Sequence, residues 1–185
     1  MAHWRDKLEQ IRHAQLEIMR SAPFKDIGLV PNPAASESAI ATAEARLGVR
    51  LPAVYREFLA LYDGWPRFYE GATLLGTANL GRREYEEVVQ SVFRAAETPV
   101  PDVGPPSGRT LSRRPLIPFG IDLQGTTLFA FDLTHPARAS GELPVIAWVN
   151  ELGFTFADFT AFLDALLDWL ALDREGSAES MLATG

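Results

Sequence analysis

Apolar residues recur at three- and four-residue intervals in several stretches of this chain and at alternate positions in shorter ones. The clearest helical stretch is Leu51–Gly64, LPAVYREFLALYDG, where Leu51, Tyr55, Phe58, Leu59 and Tyr62 share one face. Pro52 just inside its start and Gly64 just past its end suit a short helix. Immediately upstream, Ile40, Ala43 and Leu47 mark a second helix, capped by Ser36 or Ser38 and closed by Gly48. The pair predicts a helical hairpin lying on a core. Residues 2–20 predict an amphipathic helix with Trp4, Leu8, Ile11, Ile18 and Met19 on one side. Pro23, Pro31 and Pro33 interrupt the connector that follows it.

Beyond the hairpin, Trp65 and Pro66 break the helix, and Arg67–Gly71 predicts a loop carrying Phe68 and Tyr69. Ala72–Thr77 predicts a short strand. Arg82–Thr98 returns to helical spacing through Tyr85, Val88, Val89, Val92, Phe93 and Ala96. Pro99–Arg114 holds four prolines and predicts an irregular loop. Leu116–Phe119, Thr126–Asp132 and Val145–Asn150 read as strands, and Gln124-Gly125 is a tight turn pairing the first two. Thr155 is placed to cap a final helix. On it Phe156, Phe159, Phe162, Leu163, Leu166, Trp169 and Leu170 take one half, and Asp158, Asp164 and Asp168 the other. Gly176–Gly185 predicts a frayed end.

Composition narrows the class. With 185 residues, 47% of them apolar, the chain suits one domain with one core. The absence of cysteine excludes disulfides, thiolate metal sites and cysteine nucleophiles, and suits a reducing cytoplasm. The opening His3, Trp4, Arg5 and Asp6 interrupt any apolar run of the secretion-signal kind, and no segment approaches the roughly 20 apolar residues that span a bilayer. A soluble, cytoplasmic protein is expected, with no membrane contact. The net charge of −7 is concentrated in residues 142–185, which hold eight acidic side chains and one arginine. That balance argues against direct nucleic-acid binding. It is compatible with a basic partner and equally with ordinary solubility charge.

Candidate chemistry is sparse. No GxSxG, HExxH or phosphate-loop spacing occurs. His3, His13 and His135 are scattered, so no metal or cofactor is expected. Glu84, Glu86 and Glu87 cluster on the exposed side of a predicted helix. Asp122 and Asp132 flank the strand pair, and Asp122 suits local hydrogen bonding at a turn. A non-enzyme is expected. Two features could form a binding surface. One is WPRFYE, offering Trp65, Arg67, Tyr69 and Glu70, with Phe68 read as core and Trp65 as either. The other is the face of Asp158, Asp164 and Asp168, whose plainer reading is solvation. If it docks a partner, lysine at 164 and 168 should weaken binding without changing stability.

The order of these motifs resembles the SUKH superfamily, bacterial immunity proteins related to yeast regulators of cell-wall synthesis. SAIATAEARLGVRLPAVYREFLALYDGW is similar to the family's helix, glycine turn, Leu-Pro, helix and glycine ending, with Asp63-Gly64 where asparagine-glycine is usual. PLIPFGIDLQGTTLFAFD, PVIAWVNE and FTFADFTAFLDALL resemble its paired strands, next strand and closing phenylalanine-led helix. The resemblance covers about 36–170. It implies an α+β single domain, a mostly antiparallel sheet with helices packed mainly on one face. The expected organisation is an N-terminal helix and connector at 1–35, a SUKH-like domain at 36–172 with the Pro/Gly-rich loop at 99–114, and a flexible tail at 173–185. The resemblance further implies non-catalytic neutralisation of a cognate toxin domain, such as a basic nuclease or another secreted effector. The alternative is a regulatory or scaffold module binding a cellular protein. Oligomeric state is left open.

Overall fold

Between residues 65 and 156 the chain forms short strands rich in branched and aromatic residues, each pairing with the next in sequence. The computed structural model describes residues 3–21, 27–28, 30–85, 87–90, 115–122, 124–134, 140–150 and 152–183. The strands are β1 Trp65–Tyr69, β2 Ala72–Leu74, β3 Leu116–Ile121, β4 Thr127–Asp132, β5 Val145–Val149 and β6 Leu152–Phe156. They make one antiparallel sheet in sequence order, β1 to β6. The helices are α1 His3–Ser21, α2 Glu37–Leu47, α3 Ala53–Leu61 and, last in the chain, α4 Phe159–Ala183. Further helical turns lie at 83–85 and 87–90. The predicted helix over 82–98 is thus described only at its start, and the 99–114 loop lies outside the described residues.

Local chemistry sets the element ends. Ser36 caps α2 by accepting from the Ala39 amide at 3.2 Å, and Gly48 closes it in the left-handed region at φ 68°. Helix α3 begins after Pro52, which has no side chain to cap it. It ends at Leu61 rather than at Gly64, because Tyr62 is extended and Asp63-Gly64 turns the chain into β1. Asp63 accepts from the Thr77 amide at 2.5 Å and the Thr77 hydroxyl at 2.9 Å. Two backbones meet there. Gly64 has φ 90°, and a Cβ on Gly76 would lie 2.3 Å from the Asp63 carbonyl oxygen.

Helices α3 and α4 lay their aromatic side chains on one face of the sheet. The Tyr55 ring lies 5.2 Å from each of Phe119, Phe131 and Phe159, and Phe162 lies 4.8 Å from Phe129. Every residue of β4 is buried, including Leu128 and Ala130, which alternate to the opposite face. Helix α1 packs along α4. A single indole, Trp169, lies 5.6 Å from Tyr69 on β1 and 5.0 Å from Phe154 on β6. Edge strands of a flat six-stranded sheet would stand about 24 Å apart. The sheet is therefore curled around α4.

Two expected elements change type. Arg67–Gly71 is not a loop: β1 and β2 form a hairpin closed by Glu70-Gly71, both at positive φ (47° and 74°), the turn that matches strand twist. Thr155 caps no helix. It sits in β6 opposite Ile146, and the α4 cap is Asp158, which accepts from the Ala161 amide at 2.9 Å. The helix continues to Ala183 through the stretch expected to fray.

The close approach at Gly76 can be separated from conformational strain. Gly71 has positive φ and open space, so Gly71→Ala should cost about 1 kcal/mol. Gly76→Ala must move Asp63 and should cost more than about 2 kcal/mol, read by urea unfolding. Equal costs would contradict the packing described for Asp63-Gly64.

Candidate partner-binding surfaces

The aromatic residues of WPRFYE belong to the core. Between Trp65 and Tyr69 the strand bulges, with four steps of β1 opposing two of β2. Arg67 sits in that bulge at φ 51°. The irregularity turns both Phe68 and Tyr69 inward, which strict alternation forbids. Trp65 is 1% exposed and its indole N–H donates to the Gly28 carbonyl at 2.6 Å. Tyr69 packs on Trp169, and burial pushes its phenol well above the ordinary tyrosine range, with Asp173 adding to the shift. Pro66 is tolerated because β1 is an edge strand. Of the four candidates in this segment, Arg67 and Glu70 stay exposed; Trp65 and Tyr69 do not.

The three aspartates of the last helix do not act alike. Asp158 is spent on the helix cap. Asp164 forms an ion pair with Lys7 of α1, whose side chain is nearly sealed from solvent at 5% residue exposure. Asp168 is exposed. Nearly three turns beyond Asp164, Arg174 pairs with Glu17 at 2.8 Å, so α1 and α4 are clipped together at two points. Gln15, also on α1, donates to the Phe68 carbonyl at 2.6 Å. The expected change at Asp164 without loss of stability does not fit this geometry, because a buried ammonium depends on that carboxylate.

Two concavities border the helical hairpin. An open cleft of about 630 Å³ runs between α2, α3 and the turn at Ser140-Gly141, with Glu37, Arg50, Arg56 and Glu57 on its rim. Arg56 is committed to Glu37 and Glu44, which leaves the rim mixed in charge. Behind it, Glu142 reaches from the β4–β5 connector to cap α3, accepting from the Val54 amide at 3.0 Å. Burial pushes its carboxyl above the usual range, against the Val54 and Ala53 amides that favour the charged form. A smaller cavity of about 190 Å³ lies beside Tyr85 and Pro118. On its border Arg46 is occupied, donating to the Leu80 and Thr77 carbonyls at 2.6 and 2.5 Å.

Of the other titratable candidates, Asp122 organises the β3–β4 turn as expected, accepting from the Thr126 and Thr127 amides at 2.9 and 3.1 Å. Asp132 accepts from the Thr134 amide at 2.8 Å. His13 faces Glu17 one turn along α1, and His135 lies outside the described residues. Glu84 and Glu87 are exposed. Among the described residues no group of three or more histidine, cysteine or acidic side chains could hold a metal ion. Among them, too, no helix is long and apolar enough to cross a membrane.

A family model described as the SMI1 / KNR4 family (SUKH-1) matches residues 34–165. The chain belongs to that family. No curated protein matches it to a significant degree. The SUKH-1 match runs from just before α2 into the first turns of α4. Helix α1 and the distal part of α4 lie beyond it, and α1 packs along α4. Lys7 is therefore a residue outside the matched span that closes onto Asp164 within it.

Asp164→Ala should cost about 1–3 kcal/mol by stranding the Lys7 ammonium, whereas Asp168→Ala should change stability by less than about 0.5 kcal/mol. Thermal unfolding of the two variants measures the difference. Equal effects would return Asp164 to the plain solvated face.

Proposed function

We propose that this chain neutralises a bacterial toxin by binding it directly, without chemistry of its own. The observation that carries the proposal is membership of the SUKH-1 family across residues 34–165, a family whose members often serve toxin immunity. A blocking partner needs only a complementary patch of roughly 800 Å² on each side. Arg67, Glu70 and Asp168 are the candidate residues that meet the partner. Trp65 and Tyr69 lie beneath them in the β1–β2 hairpin, Asp158 caps α4, and Asp164, itself exposed, ties α4 to α1. The excess of acid in residues 142–185 steers association toward a basic toxin such as a nuclease, since opposite charge raises the encounter rate.

The test is co-expression in bacteria with the toxin domain encoded beside its gene. Growth should be restored by the wild-type chain and reduced again by Arg67→Glu combined with Asp168→Lys, at unchanged protein level. A neighbourhood without a toxin-like domain, or toxicity undiminished by the wild-type chain, would favour a regulatory module that binds a cellular protein.

A further inference from the structure

The cavity of about 190 Å³ is built where four segments meet and none of them fills the gap. Gly48 ends α2 in the left-handed region, and Leu47 and Val49, on either side of that turn, both line the cavity. Leu116 and Pro118 enter from β3. Leu133 enters from just beyond β4, held by its amide donating to the Pro115 carbonyl at 2.9 Å. Tyr85 closes the remaining side. The deepest walls are Leu75 and Ile117, at 1% and 2% exposure, while Leu47, Val49, Tyr85, Leu116 and Leu133 stay half-buried. One wall cannot move inward: a Cβ on Gly81 would already lie 2.9 Å from Leu47 Cδ2.

Two guanidinium groups border this apolar space, and no acid does. Arg46 gives Nε and Nη2 to the Leu80 and Thr77 carbonyls, which fixes the group and leaves Nη1. Arg82 gives Nε to the Ala78 carbonyl and keeps both Nη atoms. Neither arginine is in an ion pair among the described residues. Burial raises the Tyr85 phenol, the exposed Glu84 adds to the rise, and the Arg82 charge opposes it, which sets Arg82 beside the cavity wall. In a chain of net charge −7, a concavity bordered by two cations and no acid is a local reversal of sign.

These walls and charges restrict what can occupy the space. Leucine-lined walls cannot replace the hydration of an inorganic anion. A void of about 150 Å³ lined by such residues stays dry and takes a guest as large as benzene. Guanidinium groups, in turn, favour a carboxylate, whose two oxygens match their N–H fork. Both demands are met by one kind of molecule.

We infer that this cavity binds a small free carboxylic acid with an apolar body, the size of a six-carbon chain or a single phenyl ring. The body lies against Leu47, Val49, Leu116 and Leu133, and the carboxylate meets Arg82 and the Nη1 of Arg46. None of Arg67, Glu70 and Asp168 lines the cavity, so this site is additional to the residues proposed to meet a toxin.

The test titrates sodium hexanoate into the full chain, labelled at leucine and valine methyl groups and followed by NMR. The methyl signals of Leu47, Val49, Leu116 and Leu133 should shift and saturate, with half-saturation at about 1 mM or below for a ligand of roughly eight non-hydrogen atoms. Those of the exposed Leu152 and Leu172 should stay in place. Hexanol, which lacks the carboxylate, and inorganic phosphate, which lacks the apolar body, should each bind about tenfold more weakly or worse. Arg82→Glu changes an exposed side chain bonded one turn back to Ala78, and should weaken hexanoate by about tenfold or more. Val49→Trp should fill the space and abolish the shifts at Leu47, Leu116 and Leu133, with unchanged Leu152 and Leu172 signals showing that the chain is folded. Should that variant not fold, Arg82→Glu decides. Absence of saturation, hexanol or phosphate binding as tightly as hexanoate, affinity unchanged in Arg82→Glu, or shifts spreading equally to Leu152 and Leu172 would each overturn the inference. Tighter binding of a Gly-Gly-Leu peptide with a free carboxylate would assign the cavity to a protein chain end and overturn the free acid.

Discussion

The position of the Tyr55 phenol holds the architecture together. Its ring touches Phe58 on its own helix, Phe119 and Phe131 on adjacent strands, and Phe159 at the start of α4. Its hydroxyl donates to the Leu75 carbonyl at 2.9 Å, just past the end of β2. A buried hydroxyl without a partner is costly, so the helix cannot slide along the sheet without losing that bond. Burial also drives the phenol far above its usual titration range, which keeps it a donor. Leu75 in turn donates to Phe119 at 2.7 Å, tying the weakly paired β2 to β3. One side chain thus registers α3, the hairpin strands and α4 against each other.

The helices were legible because their signals are local. Ser36 and Gly48 bound α2, and Asp122 with Gly125 builds the β3–β4 turn, as their residue types suggest. Strand β1 was not legible, since Pro66 and the left-handed Arg67 imitate a loop and the bulge destroys alternation. Strand β6 leaves a signal that its neighbours mask. Leu152, Phe154 and Phe156 alternate after Asn150, but the aromatic run continues into Phe159 and Phe162 and reads as one helix. The acidic face is legible as a pattern, but the partners of its residues are not. Its residues share a helix side, yet the role of Asp164 is set by Lys7, 157 positions away in sequence, and no periodicity reports such a partner.

A unit shared with the SUKH-1 family and a strap outside it therefore divide the labour. The matched span builds the curled sheet and seats the aromatic core. Helix α1, outside that span, reaches the rest through side chains: Trp4 donates to Glu57 at 3.2 Å, Lys7 meets Asp164 and Gln15 bonds Phe68. It covers the α4 side of the molecule.

The central claim is that neutralisation is stoichiometric binding. It is tested most directly by titrating the purified chain into a fixed amount of the toxin domain encoded beside its gene, with residual toxin activity as the readout. The account predicts a linear fall to an end point at a fixed molar ratio, with both chains recovered covalently unchanged from the complex. Complete inactivation by a small fraction of that amount, increasing with time, would mean turnover and would contradict it.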